Sequence, residues 1–186
     1  MIGLRRGTVR LVPHQPGWEA QAAETAALLA RVLGDTAVEI CHVGSTAIPT
    51  IGAKPILDLA VGVRELSAVL PHTRELERLG ICLRPGSSLP GELLFVIGDE
   101  QVRTHHIHVV LWGGPQWANY LNFRDYLTAF PERAACYEAC KRELARRYPG
   151  DRARYTAEKE PLVRRLLAEA AAWRRETAPG QGGVPE

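Results

Sequence analysis

The chain has 186 residues, 46% of them hydrophobic, and a formal net charge of +2. This is enough apolar material for one globular core, and no apolar run approaches the roughly 20 residues of a membrane span. The near-neutral balance and scattered aromatics disfavour nucleic acid as a partner, and Met1–Val12 lacks the long apolar core of a signal peptide, so a cytoplasmic protein is expected.

Thr8–Pro13 reads as a short edge strand, and His14–Gly17 as a turn into a helix over Trp18–Leu33. Trp18, Ala22, Ala26, Leu29 and Val32 share one face of that helix, and Gly34 ends it. Val38–Val43 is short and rich in β-branched residues, and Ile56–Val63 is a second such run entered through Pro55, so both read as buried neighbouring strands. Leu66–Leu79 has helical spacing closed by Gly80, which makes it a crossover connection. Ile81–Arg84 and Leu93–Ile97 read as a hairpin. Its loop, Pro85–Gly91, is polar and flexible enough to move over a site, or serves as a plain connection. Thr104–Trp112 alternates as a strand does. Helices follow over Gln116–Ala129 and from Pro131 to about Tyr148, and Pro161 predicts a kink or restart in the last one, which docks through Leu162, Leu166, Leu167 and Trp173. The expected organisation is an α/β core over 1–114, a packed helical extension over 115–176 and a flexible tail over 177–186, with no internal repeat.

Chemistry concentrates between residues 38 and 63. Leu57, Leu59, Val61 and Val63 share one strand face, while Asp58 stands on the other as the lone charge of an apolar run. A buried carboxylate needs a cation, a metal or several donors, whether in a functional site or in a salt bridge that orders the sheet. Gly44-Ser45-Thr46 follows the first strand and suits either a phosphate-binding turn or a simple cap. Lys54 supplies a cation nearby, and His42 stands ready for a ligand at the turn or for a structural hydrogen bond. On the later strand His106 and His108 point together, away from His105. If they meet Asp58, two imidazoles and a carboxylate suit zinc or manganese better than magnesium; acid–base, phosphate-binding and structural roles are the alternatives. Arg124 suits a phosphate clamp or a carboxylate pair equally. From Lys141 to Arg175 eleven basic residues face five acidic ones, a local field that favours an anionic substrate or solvated helix faces. Cys41, Cys82, Cys136 and Cys140 lack zinc-finger spacing and read as reduced thiols.

The run HVGSTAIPTIGAKPILDLAV, residues 42–61, resembles the signature of the GrpB family. Similar blocks stand at His106-Ile107-His108-Val109, at Phe123-Arg124-Asp125-Tyr126-Leu127, and at Tyr137 with Lys141 and Tyr155 with Lys159, so the resemblance spans about residues 9 to 168. That family is similar in turn to the nucleotidyltransferases of the DNA polymerase beta type. The resemblance implies an α+β fold, a nucleotidyltransferase-like mixed β-sheet flanked by helices with a C-terminal helical extension. It implies Gly44 and Ser45 facing a nucleoside triphosphate, and Asp58 holding a divalent metal, magnesium or manganese, or zinc if the histidines are ligands. His42, Gly44, Ser45, Thr46, Lys54, Arg124, Lys141, Tyr155 and Lys159 become the phosphate and nucleotide candidates; Asp58 and His108 become the catalytic ones, and Asp58, His106 and His108 the metal ligands. The implied reaction moves a nucleotidyl group to a small-molecule acceptor. The sequence departs from that pattern at Ala60, where a second metal-bridging carboxylate would stand. A non-catalytic nucleotide-binding accessory module, as in relatives fused to dephospho-coenzyme A kinase, and a different group transfer on the same fold are therefore open beside the enzyme.

Overall fold

The computed structural model describes residues 2–86 and 90–177. In chain order the elements are β1 (Leu4–Arg5), α1 (Gly17–Leu33), β2 (Ala37–Val43), β3 (Leu57–Val63), α2 (Thr73–Arg78), β4 (Ile81–Leu83), β5 (Glu92–Gly98), β6 (Val102–Leu111), α3 (Pro115–Ala129), α4 (Pro131–Arg147) and α5 (Arg152–Thr177). The fold is α+β, a six-stranded mixed sheet flanked by helices. Strand order is β2-β3-β6-β5-β4, and β3 with β6 is the parallel pair, which the long connection through α2 to the far edge makes possible. β1 pairs antiparallel with the first residues of β6, on the side that β3 takes over from His105 onward.

Period-two alternation sorts the sheet into two faces. Leu57, Leu59, Val61, Phe95, Ile107 and Val109 face α1, whose Trp18, Ala22, Leu29 and Val32 complete the larger core. On the opposite face Val43, Ala60 and Val110 meet Trp117 of α3, and a second core joins α3 to α4 and α5 through Phe123, Leu127, Tyr137 and Leu166. Gly62 permits this approach, because a Cβ there would lie 2.8 Å from Trp112 and 3.0 Å from Trp117.

Three expectations are corrected. Thr8–Pro13 is not a strand; only Val12 bridges to Ala53, and the edge strand is Leu4–Arg5. Leu66–Leu79 is not one helix. Pro71 has no N–H to give an α-helical bond, so Leu66–His72 winds as a 3-10 helix and α2 begins at Thr73. Of the kink or restart expected at Pro161, the restart does not occur: α5 continues through the proline, anchored before it by Tyr155 against Val9 and Leu144, and after it by Leu166 and Ala170. Ser87–Leu89 of the expected loop and the tail after Thr177 lie outside the described residues.

Candidate functional site

The parallel register of β3 and β6 sets Asp58 opposite His106 and Ala60 opposite His108. Same-face residues on the neighbouring strands therefore converge without any loop rearrangement. His106 donates from Nδ1 to Asp58 Oδ1 at 3.0 Å, and His108 Nε2 lies 3.5 Å from the same oxygen. One ligand atom from each of the three lies within 4.8 Å of the others. Burial alone would raise the Asp58 carboxyl, but the hydrogen bonds from the two imidazoles outweigh it and hold the group far below the usual carboxylate range.

A fourth residue, absent from the sequence-based set, completes the cluster. Glu92 opens β5 opposite Val110, on the Asp58 face, and is 6% exposed. His108 donates from Nδ1 to Glu92 Oε1 at 2.9 Å, and Tyr120 of α3 donates its hydroxyl to Glu92 Oε2 at 2.8 Å. Burial opposes a charge on His108, yet hydrogen bonds to Asp58 and Glu92 raise its pKa to about 9. At neutral pH His108 is thus an imidazolium, poorly suited to accept a further proton. The signal for Glu92 was its place in the alternation Glu92, Leu94, Val96; beginning the strand at Leu93 hid it.

From this cluster a cavity of about 470 Å³ runs under α3, α4 and α5. Gly44, Ser45, Thr46, Lys54, Asp58, His106, His108, Lys141, Tyr155 and Lys159, all singled out in the sequence, line it. Gly44 has φ 70° and a Cβ there would sit 2.6 Å from Asp58 Oδ2, so both its conformation and its packing demand glycine. Arg152, a second unpredicted residue, reaches His106 Nε2 with Nη2 at 3.4 Å. Burial, Lys159 and Arg152 press the Lys54 ammonium down to about 8; burial and Lys159 bring Lys141 to about 7.

Two predicted phosphate ligands do not line this cavity. His42 alternates onto the α1 side of β2, opposite Leu59, where it shares a 2.9 Å hydrogen bond with the Thr46 hydroxyl. Burial lowers its pKa to about 4, so it is neutral. Arg124 pairs with Asp125 at 2.8 Å and donates to the His42 carbonyl at 3.0 Å, bracing the end of β2. Its guanidinium is committed to protein partners. The thiols are free, as expected.

The comparisons with known proteins agree with this architecture. The family model described as GrpB protein matches residues 8–169. Glutamate-rich protein GrpB of Alkalihalophilus pseudofirmus is 36% identical over 91% of this chain and 99% of its own length. A crystal structure of conserved protein GrpB from Enterococcus faecalis superposes with a TM-score of 0.82 at 31% identity, covering 88% of this chain and 99% of that one. A dephospho-CoA kinase of Mycolicibacterium paratuberculosis is 33% identical over 91% of this chain, which spans 48% of that protein. With the match running from Thr8 into α5, and the same fold in a solved relative, the chain belongs to the GrpB family.

Proposed function

We propose that the cavity binds a nucleoside triphosphate with one divalent metal and directs nucleotidyl transfer to a small acceptor. The observation that carries this reading is the placement of a metal-capable Asp58–His106–His108 set in the wall of a cation-lined cavity, beside the Gly44–Thr46 turn. The residues fit a metal once the ion displaces the ring protons that His106 and His108 direct at Asp58: Glu92 keeps the Nδ1 proton of His108 and leaves Nε2 directed at Asp58, the carboxylate–histidine arrangement that orients metal-bound imidazoles. The mixed nitrogen and oxygen donors suit zinc or manganese better than magnesium. Such an ion supplies Lewis acidity at a phosphoryl oxygen. The chain itself contributes the backbone turn at Gly44–Thr46 and the Lys54 ammonium to hold phosphate oxygens, and the low carboxyl pKa of Asp58 keeps that ligand ionised.

A second reading, a nucleotide-binding accessory module without turnover, is favoured by Ala60. That residue is fully buried with Val43, Val110 and Trp117 on the strand position where a two-metal enzyme carries its second carboxylate. The half-length match to a dephospho-CoA kinase fits an accessory role as well. Titration of metal-free protein with the four ribonucleoside triphosphates, with and without magnesium, manganese or zinc, followed by pyrophosphate release in a pool of small acceptors, separates the two. Metal-dependent binding and release, both lost in Asp58→Asn, support the transferase; binding without release supports the module. No binding of any nucleotide overturns both.

A further inference from the structure

Deeper in the cavity, two helices repeat one motif. Tyr137 and Lys141 are four apart on α4, Tyr155 and Lys159 four apart on α5, and the spacing puts each pair on one helical face. The faces interleave with Lys54. Its Nζ lies 5.2 Å from the Tyr155 ring centre; Lys159 Nζ lies 5.5 Å from Tyr155 and 5.8 Å from Tyr137; Lys141 Nζ lies 4.6 Å from Tyr137. Three ammonium groups thus alternate with two aromatic rings.

Among the described residues none of the three lysines is ion-paired with a carboxylate. Lys141, 2% exposed, donates to the Gly52 carbonyl at 2.7 Å. Lys159 approaches the Tyr137 hydroxyl at 3.4 Å. Glu138, the acid whose charge acts on Lys141, is bound to Arg142 at 2.7 Å and to the Gly52 amide at 2.8 Å. Asp58, which attracts Lys54, is held by its histidines. The Tyr155 hydroxyl, in a residue 1% exposed that lines the cavity, has no hydrogen-bond partner among the described residues. Clustered cations of this kind repel one another, and a buried donor without an acceptor is costly. An oxyanion relieves both.

We infer that Lys54, Lys141, Lys159 and the Tyr155 hydroxyl form a subsite for a phosphate dianion that adjoins the Asp58 cluster through Lys54 and needs no metal. Its oxygens accept from the three ammonium groups and the phenol, while the rings of Tyr137 and Tyr155 keep the lysines converged. The phosphate belongs either to the tail of a nucleotide or to a phosphorylated acceptor. The inference extends the nucleotide reading without needing a metal.

The groups facing Lys141 are Lys159, Glu138, Lys54 and Arg142, and those facing Lys54 are Lys159, Arg152 and Asp58, so cations dominate both surroundings. The depressed ammonium groups, at about 7 and about 8, regain protons when an anion arrives. The full chain, freed of metal by a chelator, is titrated calorimetrically with inorganic pyrophosphate at pH 8 in two buffers of different ionisation enthalpy. Binding with net proton uptake is expected. Lys159→Met and Lys141→Met each weaken it about tenfold or more. Tyr155→Phe weakens it without lowering the melting temperature, because its hydroxyl has no protein partner to lose. Asp58→Asn still binds, which separates this subsite from the metal reading. Displacement of pyrophosphate by a non-hydrolysable ATP analogue assigns the subsite to the nucleotide tail; simultaneous binding assigns it to the acceptor. Absence of pyrophosphate binding, or unchanged affinity in both lysine variants with the far-ultraviolet circular dichroism of the parent, overturns the inference.

Discussion

Glu92 holds the orientation of His108, and that geometry makes two predictions at the scale of single residues. Glu92→Gln keeps the shape and an acceptor for Nδ1 but removes a charge that raises the imidazole. His108 is therefore expected to titrate lower by NMR than in the parent, and zinc affinity to fall about 10–100-fold, as when the outer partner of a metal-bound histidine is lost. An unmoved titration and unchanged affinity would leave Glu92 with packing alone. Lys141 tests the opposite sign. Its folded pKa of about 7 lies below the ordinary 10.5, so the unfolded chain binds more protons between these values. The destabilisation is full at and below about pH 7 and fades as pH rises toward 10.5. Urea unfolding of Lys141→Met should show a stability gain over the parent, corrected for the lost Gly52 bond, that shrinks from pH 7 to pH 10. A difference that does not change with pH would deny the depressed lysine. A buried cation kept despite its cost to stability is what an anion subsite requires.

At the scale of elements, α3 is seated by what β3 lacks. Gly62 leaves room for the Trp117 ring, and that seat fixes where Tyr120, one turn on, reaches Glu92. Gly62→Ala should cost about 1–3 kcal/mol in urea unfolding, by forcing Trp112 and Trp117 to move, and should weaken metal binding through the displaced Tyr120. A neutral substitution would mean that the helix adapts freely. On the other sheet face Trp18 is 1% exposed within the core, and Trp18→Ala should cost about 3–5 kcal/mol without altering pyrophosphate affinity in protein that remains folded. The helices and most strands were legible because burial imposes a period of 3.6 or 2 on local sequence. The apolar spacing of Leu66–Leu79 is helical throughout, but Pro71 lacks the donor an α-helix needs there, so the segment divides into a 3-10 turn and α2. The continuity of α5 through Pro161 was hidden for the converse reason: packing on both sides of the proline overrides local propensity.

For the whole molecule, the sheet is shared by both layers. The core under α1 and the contacts of α3 rest on opposite faces of the same β3 and β6 strands, so the helical extension is not a separate lobe on a linker. Tryptophan fluorescence, reporting Trp18, Trp112, Trp117 and Trp173, and far-ultraviolet circular dichroism should lose their native signals at one urea concentration. Two separated midpoints would instead make the boundary near residue 114 an autonomous one. No helix among the described residues is long and apolar enough to cross a membrane. By itself the sequence determined which residues share a face, that Asp58 needed a partner, that His106 and His108 point together, and that the run from His42 to Val61 resembles the GrpB family. These follow from local periodicity, from the cost of burying a charge, and from a contiguous motif. Only the tertiary structure decided that β3 lies parallel to β6 in the register that joins Asp58 to His106, and that Glu92 enters from β5. It also decided that His42 and Arg124 brace β2 while Lys54, Lys141 and Lys159 converge from a strand entry and two helices. Strand order, register and helix seating are set by hydrogen bonds and packing between residues far apart in the chain, which no local pattern encodes.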